Sequence, residues 1–144
     1  MIRHAGLIAL LCGGEWRGAL IEGPSGSGKS DLALRALAQG FALVADDQVE
    51  VWADVGRLYG RSPDVLAGLI EVRGQGVQRC PYRPFAPIDL VVSLAADPAA
   101  VERMPENPAC EIGGQALPRL DLWPFEPGAP AKIGRALNNI GQAR

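Results

Sequence analysis

"GALIEGPSGSGKSDLAL", residues 18–34, decides how the chain is read. An apolar, strand-like run enters a glycine-rich turn, and a Lys-Ser pair opens a helix-like run. The pattern G-x-x-x-x-G-K-S is complete from Gly23 to Ser30. Gly23, Gly26 and Gly28 let backbone N–H groups turn inward as an anion nest, with Pro24, Ser25 and Ser27 completing the loop. The helix beginning near Lys29 adds the positive end of its dipole, on the order of half a charge. Lys29 reaches the β- and γ-phosphates, and the Ser30 hydroxyl is a ligand for Mg²⁺. The stretch predicts a nucleotide-binding phosphate loop in an α/β fold.

Working outward, "SDLALRALAQG" carries Leu at 32, 34 and 37 and Ala at 33, 36 and 38, with Gly40 as the C′ residue ending a helix. Upstream, "HAGLIALLC" and "GALIEG" read as two strands joined by the turn "GGEWR". Downstream, "FALVADD" reads as a buried strand ending in two aspartates, and "QVEVWAD" alternates like a half-exposed strand. "SPDVLAG" suggests a short helix capped by Ser62 with Pro63 first. "LIEVRGQGVQ" is a strand running into a glycine loop, "APIDLVVSLAAD" another strand, and "PAAVERM" a short helix. Residues 105–130 are rich in Pro and Gly, with short strands at most; "PAKIGRALNNIGQ" closes the chain as a helix. Strands and helices mix without strict alternation, so the central sheet is expected to be mixed. No repeat or linker divides the chain, and one domain over residues 1–144 is expected.

Composition bounds the function. The chain has 144 residues, 48 % hydrophobic and 21 % charged, with a formal net charge of −2. No bulk basic field points to nucleic acid. Cys12, Cys80 and Cys110 are odd in number and widely spaced, so neither a zinc site nor a disulfide framework follows, and a reducing cytoplasm is expected. The opening "MIRHAGLIALLCGG" lacks a small-x-small cleavage site, and no run approaches the ~20 apolar residues of a membrane span.

Asp46 and Asp47 follow the first helix by one strand. Adjacent residues of an extended strand face opposite ways, so the two should not share one task. A carboxylate beside a γ-phosphate suits a base for a hydroxyl nucleophile; a solvated turn, "ADDQ", is the other reading. Glu71 and Arg73 share a strand face before Gly74 and Gly76, which suits either metal and phosphate binding or a surface ion pair. His4, the only histidine, reads on its own as structural.

Taken together, "HAGLI", "GPSGSGKSDLAL", "GFALVADDQVEV" and "EVRGQGV" resemble HPr kinase/phosphorylase over nearly the whole chain. That family phosphorylates a serine of HPr, the small carrier protein of the bacterial sugar phosphotransferase system. The likeness is to the C-terminal catalytic domain, in the compact form typical of alphaproteobacteria, without the N-terminal domain of longer members. The resemblance implies a phosphoenolpyruvate-carboxykinase-like fold, ATP and Mg²⁺, an HPr-like partner and hexameric assembly. By position it implies catalytic roles for Lys29, for Asp47 as proton acceptor, for His4 and for Arg103 in "VERMPEN". It places the metal with Ser30, Asp46 and Glu71, and it puts Arg73, Arg79 and Arg83 in reach of protein or phosphate. One departure stands out. Where the family has Pro-Val-Arg-Pro-Gly-Arg, this chain has "PFEPGA", residues 124–129, with Glu126 and Ala129 in place of the arginines. The family associates that loop with dephosphorylation, so a kinase with weak or absent phosphorolysis is expected, with Arg119 or Arg135 as possible stand-ins in space. Two rivals are a small-molecule P-loop kinase, which needs a lid and acceptor insert this chain has little room for, and a non-catalytic nucleotide-binding regulator, which would tolerate loss of Asp47.

Overall fold

A computed structural model describes residues 1–142; positions 143 and 144, the last two of the expected domain, lie outside the described residues. The chain opens with β1 (Ile2–Arg3) and the hairpin of β2 (Ala5–Cys12) and β3 (Glu15–Glu22). Helix α1 (Lys29–Leu37) follows, then β4 (Ala42–Ala45), β5 (Val49–Asp54) and β6 (Arg57–Arg61). Next come the hairpin of β7 (Leu69–Val72) and β8 (Gly76–Arg79), the short β9 (Ala86–Pro87) and β10 (Leu90–Leu94). A last hairpin, β11 (Ala109–Ile112) and β12 (Gln115–Leu122), leads into α2 (Ala129–Gln142).

The first hairpin shows how local chemistry sets the frame. Gly13 and Gly14 have φ of 58° and 84°, the double left-handed geometry of a type I′ turn whose twist matches the strands. The turn is therefore two residues long, and Glu15, Trp16 and Arg17 join β3 rather than the expected longer loop. At the end of α1, Gly40 N–H donates to Leu37 O and Phe41 N–H to Ala36 O. That pair of bonds is a Schellman motif with Gly40 at C′, as expected.

Six strands form one sheet in the order β11-β12-β10-β3-β2-β4. β10 runs parallel to both β3 and β12, and the other neighbours are antiparallel, so the sheet is mixed. Alternation along the strands sends side chains to two cores. Ile8, Ala19, Ile21, Leu90 and Val92 pack with Leu32 and Ala36 of α1 and Ile133 and Leu137 of α2. Leu7, Leu20 and Val91 face the other way, onto Val49, Val51, Leu58 and Ile88. Those partners belong mostly to a second, antiparallel sheet, β1-β5-β6-β9. The layers are thus helices, mixed sheet, small sheet. Burying each large aliphatic side chain contributes about 1.5–3 kcal/mol.

Several expectations change. "RLYGR" is a strand, β6, and the Pro- and Gly-rich region contains the eight-residue β12. Pro118 is tolerated because it pairs with Ala109 of β11 one position before pairing with β10 begins at Arg119. "SPDVLAG" contains only a three-residue 3₁₀ turn, Asp64–Leu66, with Pro63 at the cap. Ser62 does not cap it; its hydroxyl donates to Pro63 O at 3.0 Å. "PAAVERM" likewise keeps only Pro98–Ala100, capped by Asp97.

Because β3, β10 and β12 run parallel, their C-terminal ends share one edge of the sheet. Three loops leave from that edge: residues 23–28, 95–108 and 123–128. In open α/β sheets the crevice outside such ends is where ligands bind.

Candidate active site

The glycine-rich loop joins β3 to α1. Gly26 and Gly28 have φ of 78° and 103°, a region that any side chain would strain. Space is also short: a Cβ on Gly28 would come to 3.0 Å from Phe125 Cζ, and one on Gly23 to 2.6 Å from Ser27 Oγ. No side chain caps α1. The first N–H groups of a helix have no intrahelical acceptor, so this positive end is open to the cleft. Lys29 arches back over the loop, its Nζ donating to Gly23 O at 2.6 Å and Pro24 O at 2.9 Å.

Beneath the loop lies Asp46, buried at the end of β4. Its Oδ1 accepts the Ser30 hydroxyl at 2.8 Å and its Oδ2 accepts the Glu71 backbone N–H at 3.0 Å. One carboxylate thus ties α1, β4 and β7 together. Since Ser30 donates its proton inward, its oxygen keeps lone pairs for another partner.

Asp47 departs from the extended geometry assumed for the strand. Its φ is +70°, a left-handed conformation that aspartate accepts more readily than most residues. The chain turns there, so Asp46 points under the loop while Asp47, exposed, lines the cleft. The Asp47 carbonyl accepts the Ala5 N–H at 3.1 Å, which holds it next to His4.

The cleft has a volume of about 750 Å³ and gathers His4, the loop from Gly23 to Gly26, Gly28, Lys29, Ser30, Asp47, Glu71 and Arg73. Glu71 comes from β7 and Arg73 from the turn that follows, with no ion pair between them among the described residues. Asp46 sits under this surface, and the Ser27 hydroxyl is buried, without a hydrogen-bond partner among the described residues. Arg103 lies in the exposed segment 95–108, at the same edge of the sheet but outside the cleft lining. Arg79 is exposed at the end of β8, and Arg83 lies 3.9 Å over the Trp16 ring. Neither proposed stand-in lines the cleft: Arg119 bonds to Asp121 and Ala109 O, and Arg135 is exposed on α2.

Residues 124–129 behave differently from their reading as merely lacking two arginines. Phe125 lines the cleft, a role the sequence reading missed although the aromatic residue stood inside the flagged segment. Glu126 forms an ion pair with Lys132 of α2. Ala129 is fully buried in the helix-side core. Arg35, also missed, reaches the loop from α1: it donates to Pro124 O and, at 3.3 Å, to Glu126 O, and it pairs with Asp31 at 3.0 Å.

Among the described residues no three His, Cys, Asp or Glu side chains converge to hold a metal unaided. The donors around the loop are hard oxygens: the Ser30 hydroxyl and the Glu71 and Asp47 carboxylates. That set fits Mg²⁺, which takes one or two carboxylates and completes its shell with phosphate oxygens and water. Cys80 adds no nucleophile, because burial, and secondarily the nearby Asp46 charge, pushes its thiol above the ordinary range.

A family model described as HPr Serine kinase C-terminal domain matches residues 4–111. Over 137 residues the chain is 32 % identical to the HPr kinase/phosphorylase of Streptococcus thermophilus (strain ATCC BAA-491 / LMD-9), covering 88 % of this chain and 42 % of that protein. Over 60 residues it is 50 % identical to the HPr kinase/phosphorylase of Clostridium tetani (strain Massachusetts / E88), covering 42 % of this chain and 20 % of that protein. The chain spans at most about two-fifths of the length of these relatives. The solved structure of the Hpr(Ser) kinase/phosphatase from Coxiella burnetii superposes with a TM-score of 0.80 at 24 % identity, covering 99 % of this chain and 92 % of that one. The last likeness concerns the fold alone. Among the described residues no helix is long and apolar enough to cross a membrane.

Proposed function

The chain belongs to the HPr Serine kinase C-terminal domain family, and from that premise we propose that it is an ATP-dependent protein-serine kinase whose acceptor is an HPr-like phosphocarrier protein. Residues 1–144 form its catalytic domain, a P-loop unit of the phosphoenolpyruvate-carboxykinase-like type. The observation that carries the reading is the meeting of Lys29, Ser30 and Asp47 in one cleft, with Asp46 fixing Ser30 from below.

Each residue has a task set by its position. The open N-terminus of α1 and the glycine-rich backbone hold the β- and γ-phosphates, and Lys29 leaves its own loop carbonyls to neutralise them. Ser30 presents oxygen lone pairs to the metal, with Glu71 as a carboxylate ligand and Asp46 orienting Ser30. Mg²⁺, when bound, supplies positive charge to the transferring phosphoryl group. Asp47 accepts the proton of the incoming serine hydroxyl as its oxygen bonds to phosphorus and ADP leaves. His4, which lines the cleft beside Asp47, is a further catalytic residue.

We further propose that phosphorolysis is weak. Attack by inorganic phosphate on phosphoserine needs two phosphates held together, a task for arginine forks. In the 124–129 loop, Glu126 and Ala129 stand where the family's arginines are expected, and the Arg35 guanidinium is engaged by backbone carbonyls and Asp31. Among the described residues, the permanently charged cation lining the cleft besides Lys29 is Arg73.

The test is transfer of labelled phosphate from ATP to a serine of an HPr-like protein, with Asp47→Asn as the control variant. A roughly 10²–10⁴-fold loss of turnover with ATP binding retained is expected. Transfer at an unchanged rate by Asp47→Asn would remove the proton-acceptor role; labelling of small hydroxyl compounds but not the protein would favour a small-molecule kinase.

A further inference from the structure

The cleft lining combines carboxylates with the phenyl ring of Phe125. Successive residues of an α-helix are about 100° apart, so Asp31 and Arg35 lie well round α1 from Ser30. Ser30's side carries the carboxylates, through Asp46, Glu71 and Asp47. On the Arg35 side stands the loop after β12, held by the Arg35 bonds to Pro124 O and Glu126 O. There Phe125 stands beside the Asp31–Arg35 ion pair, while Leu34, one helical turn on from Ser30, is the other large apolar residue of the cleft lining.

Phe125 is a large aromatic residue left 53 % exposed, yet its position is closely fixed. Its ring edge would be 3.0–3.1 Å from a Cβ on Gly28, and Trp123 meets it edge-to-face with centroids 6.0 Å apart. Pro124 beside it is buried, and Glu126 is anchored to Lys132. A ring fixed by its neighbours and open to a cleft can serve as a platform for a planar group. The family match ends at residue 111, so Phe125 stands in sequence outside it.

We propose that Phe125 is the stacking platform for the nucleotide base, with Leu34 as the adjoining apolar contact. The proposal rests on the phosphate-binding reading of the glycine-rich loop. Phosphates at the N-terminus of α1, with their metal on the Ser30 side, leave the base to exit toward the Arg35 side, where the ring stands. Stacking is tolerant of base identity because every base has a π-face. The ring therefore selects for a nucleotide over a bare polyphosphate rather than for one purine over another.

Calorimetric titration of wild type, Phe125→Ala and Phe125→Trp with ATP, GTP and inorganic tripolyphosphate tests this. Phe125→Ala should weaken ATP and GTP by roughly 5- to 150-fold, the range for loss of one base–aromatic stack. It should leave tripolyphosphate unchanged, and Phe125→Trp should restore nucleotide binding. Unaltered ATP affinity in Phe125→Ala would overturn the proposal. Equal weakening of ATP and tripolyphosphate would also overturn it, leaving the ring as a support for Gly28. So would an effect confined to the KM for the protein acceptor, which would assign the ring to acceptor docking. Wild-type protein that binds tripolyphosphate but gains nothing from a base would refute the platform alone, whereas failure to bind either would sink the phosphate-site reading itself.

Discussion

Replacing Asp46 with asparagine separates a structural tie from a metal-orienting one. The wild-type carboxylate accepts two hydrogen bonds, from Ser30 Oγ at 2.8 Å and Glu71 N at 3.0 Å, and is buried. Asparagine keeps the shape but has one acceptor and one donor end. The Glu71 N–H can only donate, so the amide oxygen must face it. The NH₂ then faces Ser30, whose oxygen becomes an acceptor and whose proton turns away. No group is stranded, and the stability loss is the difference between charged and neutral hydrogen bonds, about 1–2 kcal/mol for the pair. For a chain of this size that is roughly 3–8 °C in Tm. The effect on the metal should be larger, because Ser30 surrenders a lone pair and the site loses a negative charge. Disturbing a group that orients a metal ligand typically costs about 10–100-fold in metal affinity. Asp46→Ala, by contrast, strands two donors, at about 1–3 kcal/mol each. The assay is thermal unfolding beside an Mg²⁺ titration of serine phosphorylation at saturating ATP. An Asp46→Asn enzyme with a much lowered Tm and an unchanged Mg²⁺ requirement would refute the reasoning and leave Asp46 as a fold-holding residue.

Three further outcomes are expected. Lys29→Ala should weaken ATP binding and abolish transfer while leaving the fold intact, since among the described residues Nζ bonds to its own loop carbonyls alone; ATP titration and unfolding midpoints check both halves. Ala129→Arg, which would put back an arginine the family has at that position, should instead destabilise the protein: Ala129 is fully buried, and overpacking with an unpaired charge costs about 3 kcal/mol or more. Pyrophosphate release is better sought with Glu126→Arg alone. Finally, burial is the main cause that raises the Cys12, Cys80 and Cys110 thiols above their ordinary value of 9.0. The unfolded chain loses these protons first, so their contribution is full below pH 9 and falls as pH rises through that value toward the folded pKa values. Denaturant midpoints between pH 7 and 10 should decline, and a triple Cys→Ala variant should decline less.

What could be read from the sequence is what is encoded locally. The Gly23–Ser30 loop, the Gly13-Gly14 turn and the Gly40 cap depend on φ values and spacings within a few residues, and each stands where expected. Periodicity likewise revealed α1, α2 and the strands around the loop, because one helical or strand face must be apolar to be buried. Periodicity names a face but not its partner. Hence the order β11-β12-β10-β3-β2-β4 and the small sheet on the far face follow only from which faces bury each other. β12, with its proline and charges, is a strand because β10 and β11 flank it. The site divides the same way. The loop's glycine spacing was legible in eight residues, but the turn that parts Asp47 from Asp46 is not an extended strand. Arg35 meets Pro124 across 89 residues of sequence, bringing Phe125 to Gly28 and leaving Ala129 buried. Contacts at such separation depend on the whole chain's closure around its two cores, and no local pattern records them.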